Sequence, residues 1–217
     1  ELNSIAKDHR RVRGKLCLCF PDAYTIGMSH HGFQVLYTIM NNDPQWACER
    51  AFAPWPDFEA ELRRNQLPLY GLENFTPLRD FDAVAFSISF ENDYLHVLQV
   101  LRLAGIPLRA RDRSPRDPIV IFGGAAMFLN PEPLAPFADL VAVGEGEPMV
   151  PRMMAALLGG DVDYVKVAGV PAVRAIAQGT PLVIAGGFQP FIDYTLIGAK
   201  KITTLNDLRG KIVGVTG

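Results

Sequence analysis

The chain predicts an α/β protein built on an open, doubly wound parallel sheet, followed by a partial α/β segment at its C-terminus. Short apolar runs alternate with stretches of helical period from Lys15 to Leu158, and the run Pro118–Phe122 is apolar at almost every position. That is how a strand covered on both faces reads. Polar, glycine-bearing loops follow these runs, at the edge where an open parallel sheet holds its ligands.

The elements follow in order. Lys15–Phe20 is a short apolar run stopped by Pro21-Asp22, a first strand. From Met28 to Asn41 the residues Phe33, Leu36, Tyr37 and Met40 form one helical stripe. Ala47–Ala53 reads as a second strand, closed by the rigid Pro54-Trp55-Pro56, after which Asp57 is placed to cap a helix that turns Phe58 and Leu62 inward. Asp82–Phe90 is a third strand with Val84, Phe86 and Ile88 alternating. Leu95, Leu98 and Leu101 then line a helix ending near Gly105, where a left-handed glycine cap is expected. Pro118–Phe122 and Leu140–Val143 are the fourth and fifth strands. Glu147 opens a last helix with Met149, Val150, Met153, Met154, Leu157 and Leu158 inward, and Gly159-Gly160 stops it. Five strands alternating with four helices imply right-handed crossovers and a Rossmann-like or flavodoxin-like sheet.

Composition narrows the function classes. A chain of 217 residues, 49% apolar and 10% aromatic, can bury a core. With 21 basic and 23 acidic residues the net charge is -2, so no positive field gathers nucleic acid or an anionic membrane. The basic run His9-Arg10-Arg11-Val12-Arg13 reads as a solvated N-terminal arm. No apolar stretch approaches the roughly 20 residues of a membrane span, and no charged-then-apolar leader opens the chain. Three cysteines are an odd count for a disulfide framework, which favours the cytoplasm.

The loops after Phe20, Phe90, Phe122 and Val143 carry the candidate site. Gly123, Gly124, Gly144 and Gly146 are expected to converge there with Asp22 and Ser29 on any small ligand. Other candidates fall short. His30-His31 has no carboxylate or cysteine at a spacing that completes a metal site. Ser87 and Ser89 lack the glycine elbow of a hydrolase nucleophile. Glu145 and Glu147 are explained by the helix dipole they precede. No Gly-x-Gly-x-x-Gly follows the first strand.

Seven phrases nevertheless stand in a telling order: Phe20-Pro-Asp22 with Ile26-Gly-Met-Ser-His30, Cys48-Glu-Arg-Ala-Phe-Ala-Pro-Trp-Pro-Asp57, Pro77-Leu-Arg-Asp-Phe-Asp82, Leu103-Ala-Gly-Ile-Pro-Leu108, Gly123-Gly124, Asn130-Pro-Glu-Pro133 and Gly144-Glu-Gly-Glu147. Over about residues 12–158 the chain resembles the N-terminal, cobalamin-binding-like domain of a subgroup of radical S-adenosylmethionine proteins. The resemblance implies an accessory domain, residues 1–158, whose partner is a missing radical barrel. Domains that take cobalamin with a displaced lower ligand carry Asp-x-His-x-x-Gly after the first strand. Here Asp22 is followed by Tyr24, and the nearest histidines are His30 and His31. Any cobalamin is therefore expected to bind without histidine ligation. The radical reaction needs three cysteines, commonly Cys-x-x-x-Cys-x-x-Cys, on a four-iron cluster. Cys17, Cys19 and Cys48 do not match and read as buried thiols. The 4Fe-4S cluster and S-adenosylmethionine thus belong to the parent enzyme, not to this chain.

Beyond Asp161 the character changes. Tyr164–Val167, Leu182–Ala185, Tyr194–Ile197 and Lys211–Val215 read as strands, 171–179 as a short helix, and Thr204-Leu-Asn-Asp207 as a capping box. Residues 161–217, with Ile202-Thr-Thr-Leu-Asn-Asp-Leu-Arg-Gly-Lys-Ile-Val-Gly-Val215, resemble part of the first lobe of periplasmic substrate-binding proteins of importers for nitrate, sulfonates or thiamine precursors. The chain reads as a chimera that changes family at about residues 150–161. The alternative function is therefore an importer's solute-binding component, which implies a periplasmic location.

Overall fold

Strand β1, Gly14–Phe20, pairs in parallel with two partners, β2 (Trp46–Phe52) on one side and β3 (Ala83–Ser87) on the other. Strands β4 (Ile119–Gly123) and β5 (Leu140–Val141) extend the sheet beyond β3, giving the order β2-β1-β3-β4-β5 with every pair parallel. This is the doubly wound α/β arrangement expected from the alternation of elements. The computed structural model describes residues 3–159, 184–187 and 214–216. The chain divides into two compact units, Glu1–Leu158 and Gly159–Gly217.

The pleat of the sheet sorts the core. Leu16, Leu18, Phe20, Trp46, Cys48, Phe52, Ala85 and Ile121 face one side. There they meet Phe33, Tyr37 and Met40 of α2 (His31–Asn42) and Val150 and Met154 of α6 (Gly146–Gly159). Cys17, Cys19, Val84, Phe86, Val120 and Phe122 face the other side. Leu62 of α3 (Pro56–Arg64), Val97, Val100 and Leu101 of α4 (Tyr94–Leu103), and Met127 of α5 (Ala125–Leu129) cover that side.

The details depart from the sequence reading in instructive ways. The first helical stretch is two helices, α1 (Tyr24–Ser29) and α2, because His30 is extended, at φ -79° and ψ 107°. Asp57 does not cap α3: Trp55 holds the cap position, Pro56 starts the helix, and the Asp57 carboxylate accepts only from the neighbouring Phe58 N–H. Phe58 is exposed, edge-on to Tyr70. The inward stripe of α4 is Val97, Val100 and Leu101, continued by Ala104 just past its end, with Leu95 in solvent; this set, unlike Leu95, Leu98 and Leu101, follows the i, i+3, i+4, i+7 rule of a helical face. The third strand stops at Ser87 and the fifth at Val141. Helix α5 fills what reads as a loop. Gly105 takes φ 71° just after α4, as expected of a glycine cap.

The outer strand β2 buries two adjacent charges. Arg50 and Glu73 are both 0% exposed at the side chain; Arg50 Nε lies 2.8 Å from Glu73 Oε1, and the Arg50 backbone N–H donates to Glu73 Oε2 at 2.7 Å. The guanidinium stacks 4.3 Å from the Tyr37 ring centre and donates to Gln34 Oε1. Glu49, on the opposite face, accepts from Thr76 Oγ1, the Asn74 backbone and the Asn74 amide. Gly71 is required beside it, since a Cβ there would lie 2.3 Å from Glu49 Oε2. The loop after α3 thus wraps the sheet's edge, as the Leu72 N–H to Arg50 carbonyl bond confirms, and closes an edge otherwise open to pairing. The N-terminal arm joins it. His9 Nε2 sits 3.0 Å from Glu49 Oε1 and Lys7 Nζ donates to the carbonyls of Asn41, Asp43 and Trp46, so of the basic run expected in solvent only part is solvated, Arg10 and Arg11 among it.

In the second unit, β6 (Ile184–Gly187) pairs in parallel with β7 (Gly214–Thr216). They overlap the expected strands Leu182–Ala185 and Lys211–Val215. The expected elements at 164–167, 171–179, 194–197 and 204–207 lie outside the described residues.

The buried pair generates a prediction. Removing one partner leaves an uncompensated charge in the core, which costs about 3–5 kcal/mol. Glu73→Gln is expected to lower unfolding stability by that order, while Arg50→Met with Glu73→Leu recovers most of it. Urea unfolding followed by Trp46 fluorescence checks this, and a Glu73→Gln loss below about 1 kcal/mol would contradict it.

Candidate functional site

Strand order 2-1-3-4-5 reverses its winding between β1 and β3, and a crevice opens at the carboxyl ends of those two strands. The loops there are stitched together. Ile88 N–H donates to the Gly123 carbonyl at 2.8 Å and Ala126 N–H to the Ile88 carbonyl at 3.1 Å. Gly124 holds φ 99°, and a Cβ on it would lie 2.4 Å from the Ile88 oxygen. The position therefore admits only glycine. His96 Nδ1 lies 3.0 Å from the Pro21 carbonyl, which ties the first turn of α4 to the β1 loop.

Four of the six expected site residues meet. Gly123, Gly124, Gly144 and Gly146 line one cavity of about 100 Å3 together with Ser87. Its walls are apolar: Leu36 and Met40 of α2, Met149, Val150 and Met153 of α6, and Ala85 and Ile121 of the sheet. Gly146 lets α6 approach α2, since a Cβ there would come 2.7 Å from Leu36 Cδ2. Asp22 and Ser29 do not line this cavity. The Asp22 carboxylate accepts from the Ala23 N–H at 2.6 Å, and Ser29 Oγ donates to the Ile26 carbonyl at 2.8 Å. Both are occupied in shaping the turn into α1 and its end.

The crevice also holds polar groups that sequence reasoning passed over. His30 Nδ1 accepts from the Phe33 N–H at 3.2 Å, capping α2, and Nε2 lies 3.3 Å from Ser89 Oγ. Because an amide N–H can only donate, the neutral ring carries its proton on Nε2, which donates to Ser89. The ring is thus not poised as a base toward Ser89, so this pair is no activated nucleophile. His96 must likewise donate from Nδ1, since a carbonyl only accepts, and its Nε2 is left as an acceptor. Asp93 is buried with Oδ2 unpartnered; burial first, then the charge of Asp22, pushes its carboxyl above the usual range. As sequence, Asp93 reads as an ordinary helix-start residue and His96 as an exposed helical one, so nothing in the spacing singles them out.

The thiols are divided by the sheet. Cys17 and Cys19 have their sulfurs 3.8 Å apart on one face, while Cys48 lies on the other face beside Met40. All three are buried, and burial pushes the thiols of Cys17 and Cys48 up, away from the thiolate. Among the described residues no group of three or more His, Cys, Asp or Glu side chains is placed to hold a metal ion. No helix among them is long and apolar enough to cross a membrane.

Comparison with known proteins fits this fold. An uncharacterized protein of Methanocaldococcus jannaschii is 32% identical over 90 residues, which cover 41% of this chain and 18% of that protein. The chain thus spans less than a fifth of that relative's length. Residues 32–160, more than half of the chain, match the family described as radical SAM proteins, N-terminal. The chain belongs to that family, and its first unit is the N-terminal domain of a radical S-adenosylmethionine protein.

Proposed function

We propose that the first unit serves a radical S-adenosylmethionine enzyme as an accessory domain, shaping the reaction chamber of a catalytic domain elsewhere in the polypeptide and performing no radical step itself. The observation that carries this reading is the division of the cysteines within a member of this family. A cluster that holds S-adenosylmethionine needs three thiolates at one point. Cys17 and Cys19 are separated from Cys48 by the thickness of the sheet, in apolar surroundings that disfavour the thiolate. These residues do not fit the cluster, and the chemistry belongs to the rest of the enzyme. The importer reading rests on a segment of which only Ile184–Gly187 and Gly214–Thr216 are described, and it gains no support from the first unit.

Cobalamin is the ligand that the fold's resemblance suggests for the carboxyl edge. The residues there do not build a histidine lower ligand on the Asp-x-His-x-x-Gly plan. Tyr24 stands where that histidine would, edge-on to Phe52 at 5.3 Å. Gly27 is kept small by the same ring, with a Cβ reaching 2.3 Å from Phe52 Cε1. His30 is committed through both nitrogens. Our reading is that any cobalamin is held by the edge without histidine ligation.

Two predictions follow from the site. Anaerobic reconstitution of the 217-residue chain with iron and sulfide is expected to yield no stable visible charge-transfer absorbance and no 5'-deoxyadenosine. A stable cluster with cofactor cleavage would make this chain an enzyme in its own right and overturn the reading. In a hydroxocobalamin titration, any spectral change seen with the unaltered chain is expected to persist in His30→Ala and His96→Ala. Loss of the change in either variant would show that an imidazole ligates after all.

A further inference from the structure

Helix α2 ends without a cap of its own. Its last carbonyls meet no left-handed glycine, because Asp43 follows in an extended conformation at φ -77° and ψ 120°, and no basic residue stands in the last turn. Lys7 of the N-terminal arm supplies what is missing. Its Nζ donates to the carbonyls of Asn41 at 2.6 Å, Asp43 at 2.8 Å and Trp46 at 2.7 Å, so every ammonium proton is used. The charge also sits at the negative end of the helix dipole. Bonds on either side of Lys7 hold the arm in place. The Ile5 N–H donates to Tyr37 Oη at 2.8 Å, Asn74 Nδ2 donates to the Lys7 carbonyl at 3.2 Å, and His9 reaches Glu49 of β2.

This attachment is polar throughout. Ile5 is 36% exposed, Lys7 and His9 are half-buried, and the turn His9–Arg11 buries no residue. A segment held by directed bonds with almost no buried apolar area belongs to the least stable part of a fold, and it can leave without unfolding the sheet. What it holds bears on the crevice. Helix α2 contributes Leu36 and Met40 to the wall of the cavity. Its end is stitched to β2 at Cys48: Asn41 Nδ2 donates to the Cys48 carbonyl at 3.0 Å, the Cys48 N–H donates to Asn41 Oδ1 at 3.2 Å, and Cys48 Sγ lies 3.5 Å from Met40 Sδ. Loosening the last turn of α2 therefore moves Met40 off the cavity and off Cys48 together.

We propose that residues 5–9 are a releasable strap, with Lys7 as its clasp, that sets the seat of α2 on β2 and with it the α2 wall of the cavity. Release leaves the final carbonyls of α2 unpaired and frays its last turn. The strap acts whatever role the first unit has in the enzyme, so it stands or falls separately from the accessory-domain reading.

The native thiols test it. Cys48 lies on the α2 face of the sheet, while Cys17 and Cys19 lie on the opposite face and report wider opening. The 217-residue chain is labelled with a maleimide at a series of low urea concentrations, and each thiol is followed by peptide mass. Cys48 is expected to react at least about tenfold faster than Cys17 and Cys19 and with a shallower urea dependence, because opening the strap exposes less surface than opening the domain. Lys7→Met keeps an unbranched side chain and removes its donors. It is expected to speed Cys48 by a further factor of about ten, the scale of one charged hydrogen bond, with the slope still shallow. Arg10→Met, which removes a guanidinium paired with Asp8 in solvent, is expected to leave the Cys48 rate as it is. Cys48 labelling that keeps step with Cys17 and Cys19 in rate and urea slope would mean that α2 opens only with the whole domain, and overturns the proposal. So does a Cys48 rate that Lys7→Met does not move, or that Arg10→Met moves equally.

Discussion

The parallel pairing of β1 with both β2 and β3 is the constraint on which the first unit depends. A strand hydrogen-bonded on both sides and covered on both faces has to be apolar throughout, and Leu16, Cys17 and Cys19 are completely buried. Its two neighbours are reached in opposite winding directions, so the chain lays α1, α2 and α6 on one face and α3, α4 and α5 on the other. The crevice at the carboxyl edge is the geometric consequence. So is the fate of the thiols: residues two apart in β1 share a face, and Cys48, paired to Leu16, shares the other.

That constraint leaves an edge to manage at β2. The solution is unusual for a core strand, because it buries charge rather than adding apolar area. Glu49 and Arg50 alternate to opposite faces, and the single loop from Gly71 to Thr76 supplies a partner to each. A buried pair of this kind contributes little net stability over an apolar replacement. What it provides is register: a slip of one residue in β2 would place Arg50 opposite Thr76 and Asn74 and Glu49 opposite Glu73.

Much of this was legible in the sequence, and the limits have physical causes. Strands β1, β3 and β4 announce themselves because double coverage demands apolar runs, while β2 is marked by the rigid Pro54-Trp55-Pro56 that closes it. Helix α5, five residues long, is too short to show a period. On α4 the leucines Leu95, Leu98 and Leu101 draw the eye at a spacing of three, but it is Val97, Val100 and Leu101, with the i, i+3, i+4 step of a helical face, that are buried. Asp57 has the chemistry of a cap, but Pro56 one residue earlier had already fixed the helix start. At the site, the glycines are visible as turn residues, and at Gly124 close backbone approach with a positive φ excludes every other residue. Asp93, His96 and the His30–Ser89 contact depend on loops meeting in space, and no local pattern encodes that. The importer resemblance falls mostly on residues outside the described ones, β6 and β7 excepted.

The central claim is that this fold assists a radical enzyme without carrying its chemistry. The most direct measurement compares the full-length enzyme with a version lacking residues 1–158, following iron content, 5'-deoxyadenosine formation and substrate turnover together. The account predicts that the shortened protein keeps its cluster and its cofactor cleavage while substrate turnover collapses. Loss of the cluster on removing the domain, or turnover that survives its removal, would contradict the account.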